Sequence, residues 1–248
     1  MSVKIALRKT SLLDYQGRIS SVFFFSGCNL RCPWCHNRDL VLGTAKDLIP
    51  LEDGLAYLRK RRSVLTGVVL SGGEPCLYDG LPLLIGEIKK LAIPVKLDTN
   101  GTLPIILDRL FSREETSPDY IALDLKIAPQ RYVELLAGGR PPAGKNTASF
   151  RAGDDLIQSA ALIRGSGIAH EFRSLALPGG FFTAEDIEAL APLAGGHRNG
   201  DMAPWYFRPF RGGNCLDPAW DSLEESGTAA ESRCQALAHM AGEMRKAK

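Results

Sequence analysis

The sequence predicts an α/β fold built on a parallel sheet, and two observations support this prediction. Short β-rich segments alternate six times with segments of helical pattern along the 248 residues, an order typical of parallel strands joined by right-handed crossovers. The composition, 45% hydrophobic and 23% charged, is that of a globular domain with a full core. An open doubly wound sheet and an incomplete barrel both satisfy the pattern. Because no change in composition divides the chain, a single domain over residues 1–248 is expected.

The strands are predicted where β-branched and aromatic residues cluster between turn residues. They are Ile19–Phe25, Gly67–Ser71, Pro94–Thr99, Tyr120–Lys126, Ile168–Leu177 and Ala203–Phe210. Apolar residues at helical spacing predict the helices between them. These are Leu51–Arg62, Leu81–Leu91, Leu103–Phe111, Pro129–Ala137, Asp154–Gly165 and Thr183–Leu193. The tail Thr228–Lys248 is predicted to form a last helix, and the Gly- and Pro-rich stretch Ala137–Ser149 a long mobile loop.

Charge and hydropathy narrow the classes of function. A net charge of +2 gives no support for a nucleic-acid partner, and the basic run Arg59–Arg62 at a predicted helix end suits the helix dipole. The apolar run Val22–Phe25 is too short to cross a membrane, and no secretory signal is visible. We therefore expect a cytoplasmic protein with no membrane partner. In that reducing compartment its six cysteines are metal ligands or buried thiols.

Three cysteines, Cys28, Cys32 and Cys35, follow the first predicted strand with the spacing C-x3-C-x2-C. A structural zinc site or a closed [4Fe–4S] cluster needs four ligands. Three thiolates on a four-iron cluster would leave one iron open to a small molecule, and this interpretation is favoured. A remote fourth ligand stays open as an alternative, from Cys76, Cys215 or Cys234.

The segment "CNLRCPWCHN" resembles the signature loop of the radical S-adenosylmethionine (SAM) superfamily, C-x3-C-x-Φ-C, with Trp34 as the aromatic residue. The resemblance runs from about residue 20 to residue 210. It implies a partial (β/α)6 barrel with a C-terminal helical extension over 228–248. It also implies a [4Fe–4S] cluster on the three cysteines and SAM as the second cofactor.

The segment "LSGGEP" follows the second predicted strand and resembles the family's GGE motif. Gly72 and Gly73 would let the backbone approach a ligand, and Glu74 could accept hydrogen bonds from an amino group. Taken alone, the segment is equally typical of a Gly-rich turn before a helix.

The third and fourth predicted strands end in "DTNG" and "LDLK". Strand alternation places Lys96, Asp98 and Asn100 on one face, and Asp124 and Lys126 on one face of the next strand. Internal ion pairing, such as Asp98 with Lys126, is one interpretation.

The resemblance to glycyl-radical-enzyme activating enzymes gives another interpretation of these strand ends. It implies that Lys126 lies near the methionyl carboxylate of SAM and that Asn100 also contacts the cofactor. It further implies a pocket for a monovalent cation formed by Asp98, Thr99 and Asp124.

Arginines near the ends of the last two predicted strands are candidates for the SAM carboxylate. Arginine binds carboxylates through two parallel hydrogen bonds, which suits Arg173 or Arg211. Arg208 also lies in this region. Each of the three could instead be a solvated strand-end residue.

The function implied by the resemblance is activation of a glycyl-radical enzyme. The chain would cleave SAM reductively and remove a hydrogen atom from a backbone glycine of a partner, most closely anaerobic ribonucleoside-triphosphate reductase. Flavodoxin or ferredoxin would donate the electron. Three alternatives remain: an activase of another glycyl-radical enzyme such as pyruvate formate-lyase, a radical SAM enzyme acting on a small molecule or peptide, and a non-catalytic zinc or iron–sulfur protein.

Overall fold

The fold is described from a computed structural model that covers residues 3–136, 151–195, 202–223 and 227–246. The strands are β1 Lys4–Ser11, β2 Ser20–Phe25, β3 Ile49–Pro50, β4 Gly67–Gly72, β5 Val95–Thr99, β6 Tyr120–Asp124, β7 Ala169–Ala176 and β8 Trp205–Pro209. The α-helices are α1 Arg38–Leu42, α2 Leu51–Arg61, α3 Leu81–Lys89, α4 Pro104–Phe111, α5 Ala152–Ser166, α6 Ala184–Leu190 and α7 Gly227–Lys246. Short 3₁₀-helices span Pro75–Leu77, Glu114–Thr116, Pro129–Leu135 and Pro218–Leu223.

The strands form a mostly parallel sheet in the order β3-β1-β2-β4-β5-β6-β7-β8. The pairs β2–β4, β4–β5 and β7–β8 are parallel, whereas β1 runs antiparallel to β2 and β3. β2 and β4 stay in register from Ser20 opposite Gly67 to Phe25 opposite Gly72. Because the two strands end at the same level, the loops that follow them start side by side.

The chain divides into two compact units. Unit 1 comprises Met1–Cys28, Asp39–Thr99 and Ile105–Ala122, and unit 2 comprises Asn29–Arg38, Asn100–Pro104 and Leu123–Lys248. The expected single domain over residues 1–248 stays a prediction. No helix in the described ranges combines the length and apolar character needed to span a bilayer.

In unit 1 the buried strands carry an almost continuous apolar core, as expected for parallel strands covered on both faces. Val22, Phe23, Val69 and Leu97 are completely buried. Helix α2 packs closely here, because a Cβ on Gly54 would lie 2.9 Å from the Phe23 ring. The helix therefore needs glycine where it crosses the sheet.

In unit 2 helix α6 begins with a capping box, in which the Asp186 carboxylate accepts a hydrogen bond from the Thr183 backbone N–H at 2.9 Å. Asp186 is only 1% exposed and also accepts from the Ala128 N–H at 2.7 Å and from Arg131 at 2.8 Å. One buried carboxylate thus fixes the segment after β6 to the start of α6.

The six predicted strands are confirmed with ends shifted by at most two residues, and the α/β class with them. Two strands were not predicted, β1 and the two-residue β3. The predicted helix Pro129–Ala137 is a 3₁₀-helix, Pro129–Leu135, because its buried residues Pro129, Tyr132 and Leu135 recur every third position. The last helix is present as α7, whereas the predicted loop Ala137–Ser149 lies outside the described residues.

Candidate cofactor-binding site

The loop that follows β2 carries the three clustered cysteines, and none of the three forms a disulfide. The Cys35 N–H donates to the Cys32 carbonyl at 3.0 Å, which closes a tight turn between these two residues. Cys32 is buried, whereas Cys28 and Cys35 are partly exposed. The Asp217 N–H donates to the Pro33 carbonyl at 2.9 Å, so the segment after β8 holds this turn in place.

Trp34, at the aromatic position of the signature, is 3% exposed and packs inside an aromatic cluster. Its ring centroid lies 5.1 Å from that of Phe181 and 5.2 Å from that of Trp220. Such pairs contribute about 0.5–1.5 kcal/mol each beyond the area they bury. The cysteine turn therefore rests on an apolar base that excludes water from one side.

The glycine loop after β4 is locked against the end of β2. The Gly73 N–H donates to the Phe25 carbonyl at 2.8 Å, and the Glu74 N–H donates to the Gly27 carbonyl at 2.9 Å. A Cβ on Gly73 would lie 1.8 Å from the Gly27 carbonyl oxygen and 3.4 Å from the Cys28 Cβ. Only glycine permits this approach, so the GGE loop and the first cysteine of the signature are neighbours within unit 1.

Glu74 is 1% exposed, and its carboxylate lies in a network of uncharged donors. Its Oε1 accepts a hydrogen bond from the Cys76 N–H at 3.0 Å and from the Thr99 hydroxyl at 2.9 Å. We call Glu74, Cys76 and Thr99 the Glu74 network. These two hydrogen bonds fix the position of one oxygen of the buried carboxylate.

A cavity of about 220 Å³ lies in unit 2 at the carboxyl ends of β6 and β7, and we call it the Asp124 pocket. Its lining residues are Trp34, Asp124, Leu125, Lys126, Arg173, Ser174, Leu175 and Arg208. Ligand sites of parallel sheets gather at this end of the strands. The lining includes three cations and one carboxylate, so the pocket carries a net charge of +2 and suits an anion.

Asp124 holds two of the three cations. Its Oδ1 accepts from Arg173 Nε at 2.9 Å and Nη2 at 2.8 Å, and its Oδ2 lies 3.2 Å from Lys126 Nζ. Burial acts to raise the pKa of Asp124, but Arg173 and Lys126 outweigh it and lower the pKa to about 2. Burial acts to lower the pKa of Lys126, yet Asp124 and the nearby Cys32 thiol raise it above the usual lysine value. Asp124 therefore keeps Lys126 charged and orients both Lys126 and Arg173.

Most of the strand-end residues singled out from the sequence have protein partners in the structure. Lys96 Nζ lies 3.8 Å from Asp98 Oδ1, so internal ion pairing occurs, with Lys96 rather than Lys126 on Asp98. The side-chain amide of Asn100 donates to Asn29 at 3.0 Å, and its oxygen accepts from Thr102. Contact of Asp98 and Asn100 with a cofactor stays a prediction.

Of the two arginines expected to bind the carboxylate, Arg173 lines the Asp124 pocket, whereas Arg211 is exposed and does not. Arg208 also lines the pocket, and the contact of Arg211 with the carboxylate stays a prediction. Arg208 lies within β8 opposite Leu175, and this register brings it level with the end of β7. Ser174 and Leu175 also line the pocket but were not singled out from the sequence. Their position directly after Arg173 on the same strand was the available signal.

The residues fit the cofactors implied by the signature. Three cysteines outside any disulfide stand in one loop, Cys32 and Cys35 lie close enough to Lys126 to interact with its charge, and the pocket beside Lys126 suits a carboxylate. In the ranges that the structure describes, no three His, Cys, Asp or Glu side chains converge on one metal ion. A four-iron cluster makes no such demand, since each thiolate binds a separate corner.

Comparison with known proteins identifies the class to which this arrangement belongs. The Radical SAM superfamily model matches residues 22–194, more than half of the chain. The chain therefore belongs to the radical SAM superfamily, whose enzymes use a [4Fe–4S] cluster and SAM. This membership excludes the alternative of a non-catalytic zinc protein.

Two curated relatives and one solved structure illustrate the likeness. A Methanocaldococcus jannaschii protein provisionally named a glycyl-radical enzyme activating enzyme is 33% identical over 129 residues, 51% of each chain. The 7-carboxy-7-deazaguanine synthase of Aquifex aeolicus is 33% identical over 86 residues, 34% of this chain and 38% of its own. The matches thus span about half or less of these relatives. SuiB of Streptococcus suis superposes with a TM-score of 0.60 at 17% identity, over 87% of this chain and 44% of its own, which confirms the partial-barrel fold.

Proposed function

We propose that this protein is a radical SAM activating enzyme for a glycyl-radical enzyme, with anaerobic ribonucleoside-triphosphate reductase as the partner. The Asp124 pocket carries the SAM part of the proposal, because its net charge of +2 beside Cys32 and Cys35 suits the methionyl carboxylate. The 33% identity to the Methanocaldococcus jannaschii relative supports the choice of a glycine substrate.

When bound, the cluster and SAM would supply a 5′-deoxyadenosyl radical that takes one hydrogen atom from the glycine α-carbon, leaving methionine, 5′-deoxyadenosine and a glycyl radical. The side chains of this protein would bind and orient the two cofactors. Cys28, Cys32 and Cys35 hold the cluster as thiolates, and Trp34 excludes water beneath them.

The two ends of the methionyl group call for opposite charges. Gly72 and Gly73 let the backbone approach the ligand, and Glu74 receives the ammonium group. Lys126 and Arg208 receive the carboxylate, while Arg173 is held by Asp124. A monovalent cation on Asp98, Thr99 and Asp124 is a further proposal. It predicts that SAM cleavage is faster in potassium than in tetramethylammonium salts.

The test is anaerobic reconstitution followed by electron paramagnetic resonance. The reconstituted enzyme, SAM, reduced flavodoxin or ferredoxin, and the reductase are expected to give a glycyl doublet. A reductase whose radical-site glycine is changed to alanine is the matched control and should give none. The partner assignment fails if no anaerobic reductase or lyase gives the doublet while SAM is still cleaved.

A second candidate is a 7-carboxy-7-deazaguanine synthase, favoured by the identity to the Aquifex aeolicus enzyme. It predicts 7-carboxy-7-deazaguanine among the products of the reconstituted enzyme when it is supplied with the substrate of that synthase. Mass spectrometry of the same incubations distinguishes the two candidate functions. The activase leaves a radical on a partner protein, whereas the synthase releases 7-carboxy-7-deazaguanine.

A further inference from the structure

The Glu74 network joins Glu74 to two other buried residues of unit 1, Cys76 and Thr99. Thr99, the last residue of β5, is 2% exposed, and its hydroxyl lies 2.9 Å from Glu74 Oε1. The sulfur of Cys76 lies 3.7 Å from the same hydroxyl, and Cys76 is 3% exposed. Buried polar contacts of this kind fix the rotamers of the groups they join.

The direction of the hydrogen bonds follows from the chemistry of the three groups. An ionised carboxylate only accepts, so the single proton of the Thr99 hydroxyl points to Glu74. Burial and the Glu74 carboxylate raise the pKa of the Cys76 thiol well above its usual value. The thiol therefore keeps its proton and donates to the Thr99 oxygen, which gives the order Cys76, Thr99, Glu74.

The backbone fixes the position of Glu74 but not the rotation of its carboxylate. The Glu74 N–H bonds to the Gly27 carbonyl, and Gly72 adopts φ +116°, a region that glycine alone enters easily. A glutamate side chain has three rotatable bonds beyond this anchor. Two donors on the same oxygen, one from the backbone of Cys76 and one from Thr99, remove that freedom.

We propose that Thr99 is a positioning residue for SAM binding: its hydroxyl holds the Glu74 carboxylate in the orientation that receives the ammonium group. Thr99 then acts through Glu74, which is an alternative to its role as a ligand of the monovalent cation proposed above. The inference rests on SAM as the cofactor and on the proposed role of Glu74. It does not depend on which substrate the radical attacks.

The experiment compares Thr99→Val with Thr99→Ser in the reconstituted holoenzyme, without any partner protein. Valine keeps the shape and loses the hydroxyl, whereas serine keeps the hydroxyl. Loss of a hydrogen bond to a charged group weakens binding by about tenfold, so the SAM Kd of Thr99→Val should rise about tenfold. The Kd of Thr99→Ser should stay within about twofold of the wild type.

Two further readouts separate positioning from a merely structural role. Perturbation of the reduced cluster's paramagnetic resonance spectrum by SAM should need about tenfold more SAM in Thr99→Val and reach the same end point. SAM cleavage at saturating SAM should change little, so that the effect falls on KM. The proposal is overturned if Thr99→Val binds SAM as the wild type does, or if Thr99→Ser is as weak as Thr99→Val.

Folding and cation binding are controlled in the same series. If Thr99→Val does not hold iron, Thr99→Ala replaces it, and weaker SAM binding by alanine than by serine is then the expected result. Equal binding by alanine and serine contradicts the proposal. So does a potassium dependence of the SAM Kd that is present in the wild type and lost in the hydroxyl-free variant. Failure of the glycyl doublet leaves this result untouched, since no partner is used.

Discussion

The Glu74 network and the Asp124 pocket each hold one buried or half-buried carboxylate, and they hold it in opposite ways. Glu74 is 1% exposed and receives uncharged donors, a backbone N–H and a hydroxyl. The Asp124 side chain is 31% exposed and receives two cations. The first arrangement orients a carboxylate through two uncharged donors, and the second pairs a carboxylate with two cations. Under the proposed assignment, similar side chains thus serve ligand groups of opposite charge.

The two regions also differ in what holds them together: close backbone packing in the Glu74 network, and charge pairing in the Asp124 pocket. The Glu74 network depends on backbone approach, because the glycine loop meets the end of β2 at contact distance. The Asp124 pocket depends on charge pairing, which weakens in salt and in acid. Substitutions should therefore affect the two regions through different measurements.

The largest effect is expected at the thiols beside the Asp124 pocket. Cys32→Ala should bind far less iron after reconstitution and lose SAM cleavage, because two thiolates do not hold a four-iron cluster. Iron analysis and the visible spectrum check this. Cys234→Ala, on α7, is the control and should keep the wild-type iron content. Full iron in Cys32→Ala would show that another cysteine completes the site.

The second largest effect is expected where the glycine loop packs against the end of β2. Gly73→Ala should lower the free energy of unfolding by more than about 3 kcal/mol, because its Cβ would meet the Gly27 carbonyl oxygen at 1.8 Å. Gly165→Ala, in helix α5 with no atom within 4 Å of the new Cβ, should be neutral or stabilise by up to about 1 kcal/mol. Urea unfolding measures both. Equal stability of the two variants would contradict the close approach.

The third effect is expected on removal of the charge of Asp124. Asp124→Asn should cost about 1–2 kcal/mol at neutral pH, since Arg173 and Lys126 lose their shared charged partner. The folded-state pKa of Asp124, about 2, lies below the ordinary value of 3.8. The contribution of the charge is therefore complete above the ordinary value and is lost as pH falls toward 2.

Urea unfolding of the cluster-free chain between pH 7 and pH 2.5 checks this pH dependence. The difference between wild type and Asp124→Asn should shrink across the acid part of the range. Asp14→Asn removes an exposed ion pair with Arg8 and should change stability by less than about 1 kcal/mol. A difference for Asp124→Asn that does not vary with pH would rule out the proposed charge pairing.

The smallest effect sharpens the choice of carboxylate ligand. Arg208→Ala should raise the SAM Kd about three- to tenfold, because it removes one of the three pocket cations. Arg211→Ala should leave the Kd within about twofold, since Arg211 does not line the pocket. Calorimetric titration of the reconstituted variants with SAM measures both. A larger loss with Arg211→Ala would reverse the assignment.

The sequence was sufficient for the parallel part of the fold because each buried strand is a short apolar run between turn residues. It did not reveal β1, whose segment KIALRKTS buries only Ile5 and Ser11 fully and reads as polar. β3 has two residues and leaves no pattern of its own. The 3₁₀-helix Pro129–Leu135 could have been found, since its apolar residues recur at three rather than at 3.6 positions.

The residues of the site could be predicted from the sequence where the ends of the strands could be located. Asp124, Lys126 and Arg173 were found because they stand at or beside the ends of β6 and β7. Arg208 and Arg211 could not be ranked, because Arg211 follows Pro209 beyond the strand, where the pleat no longer fixes its direction. The contact of Thr99 with Glu74 could not be predicted, since it depends on the register of β4 with β5. The pairing of Lys96 with Asp98 could have been predicted, because strand alternation places both residues on one face of β5.

The two strands at the ends of the sheet order offer little free edge for pairing with a further strand. β3 is two residues long and finishes at Pro50, and β8 finishes at Pro209 with helix α7 packed against it. Proline lacks the N–H that a neighbouring strand would need, and very short or covered borders do not template β-augmentation. If the substrate is a polypeptide, as proposed above, we therefore expect side-chain and loop contacts to bind it, and not a strand that it adds to this sheet.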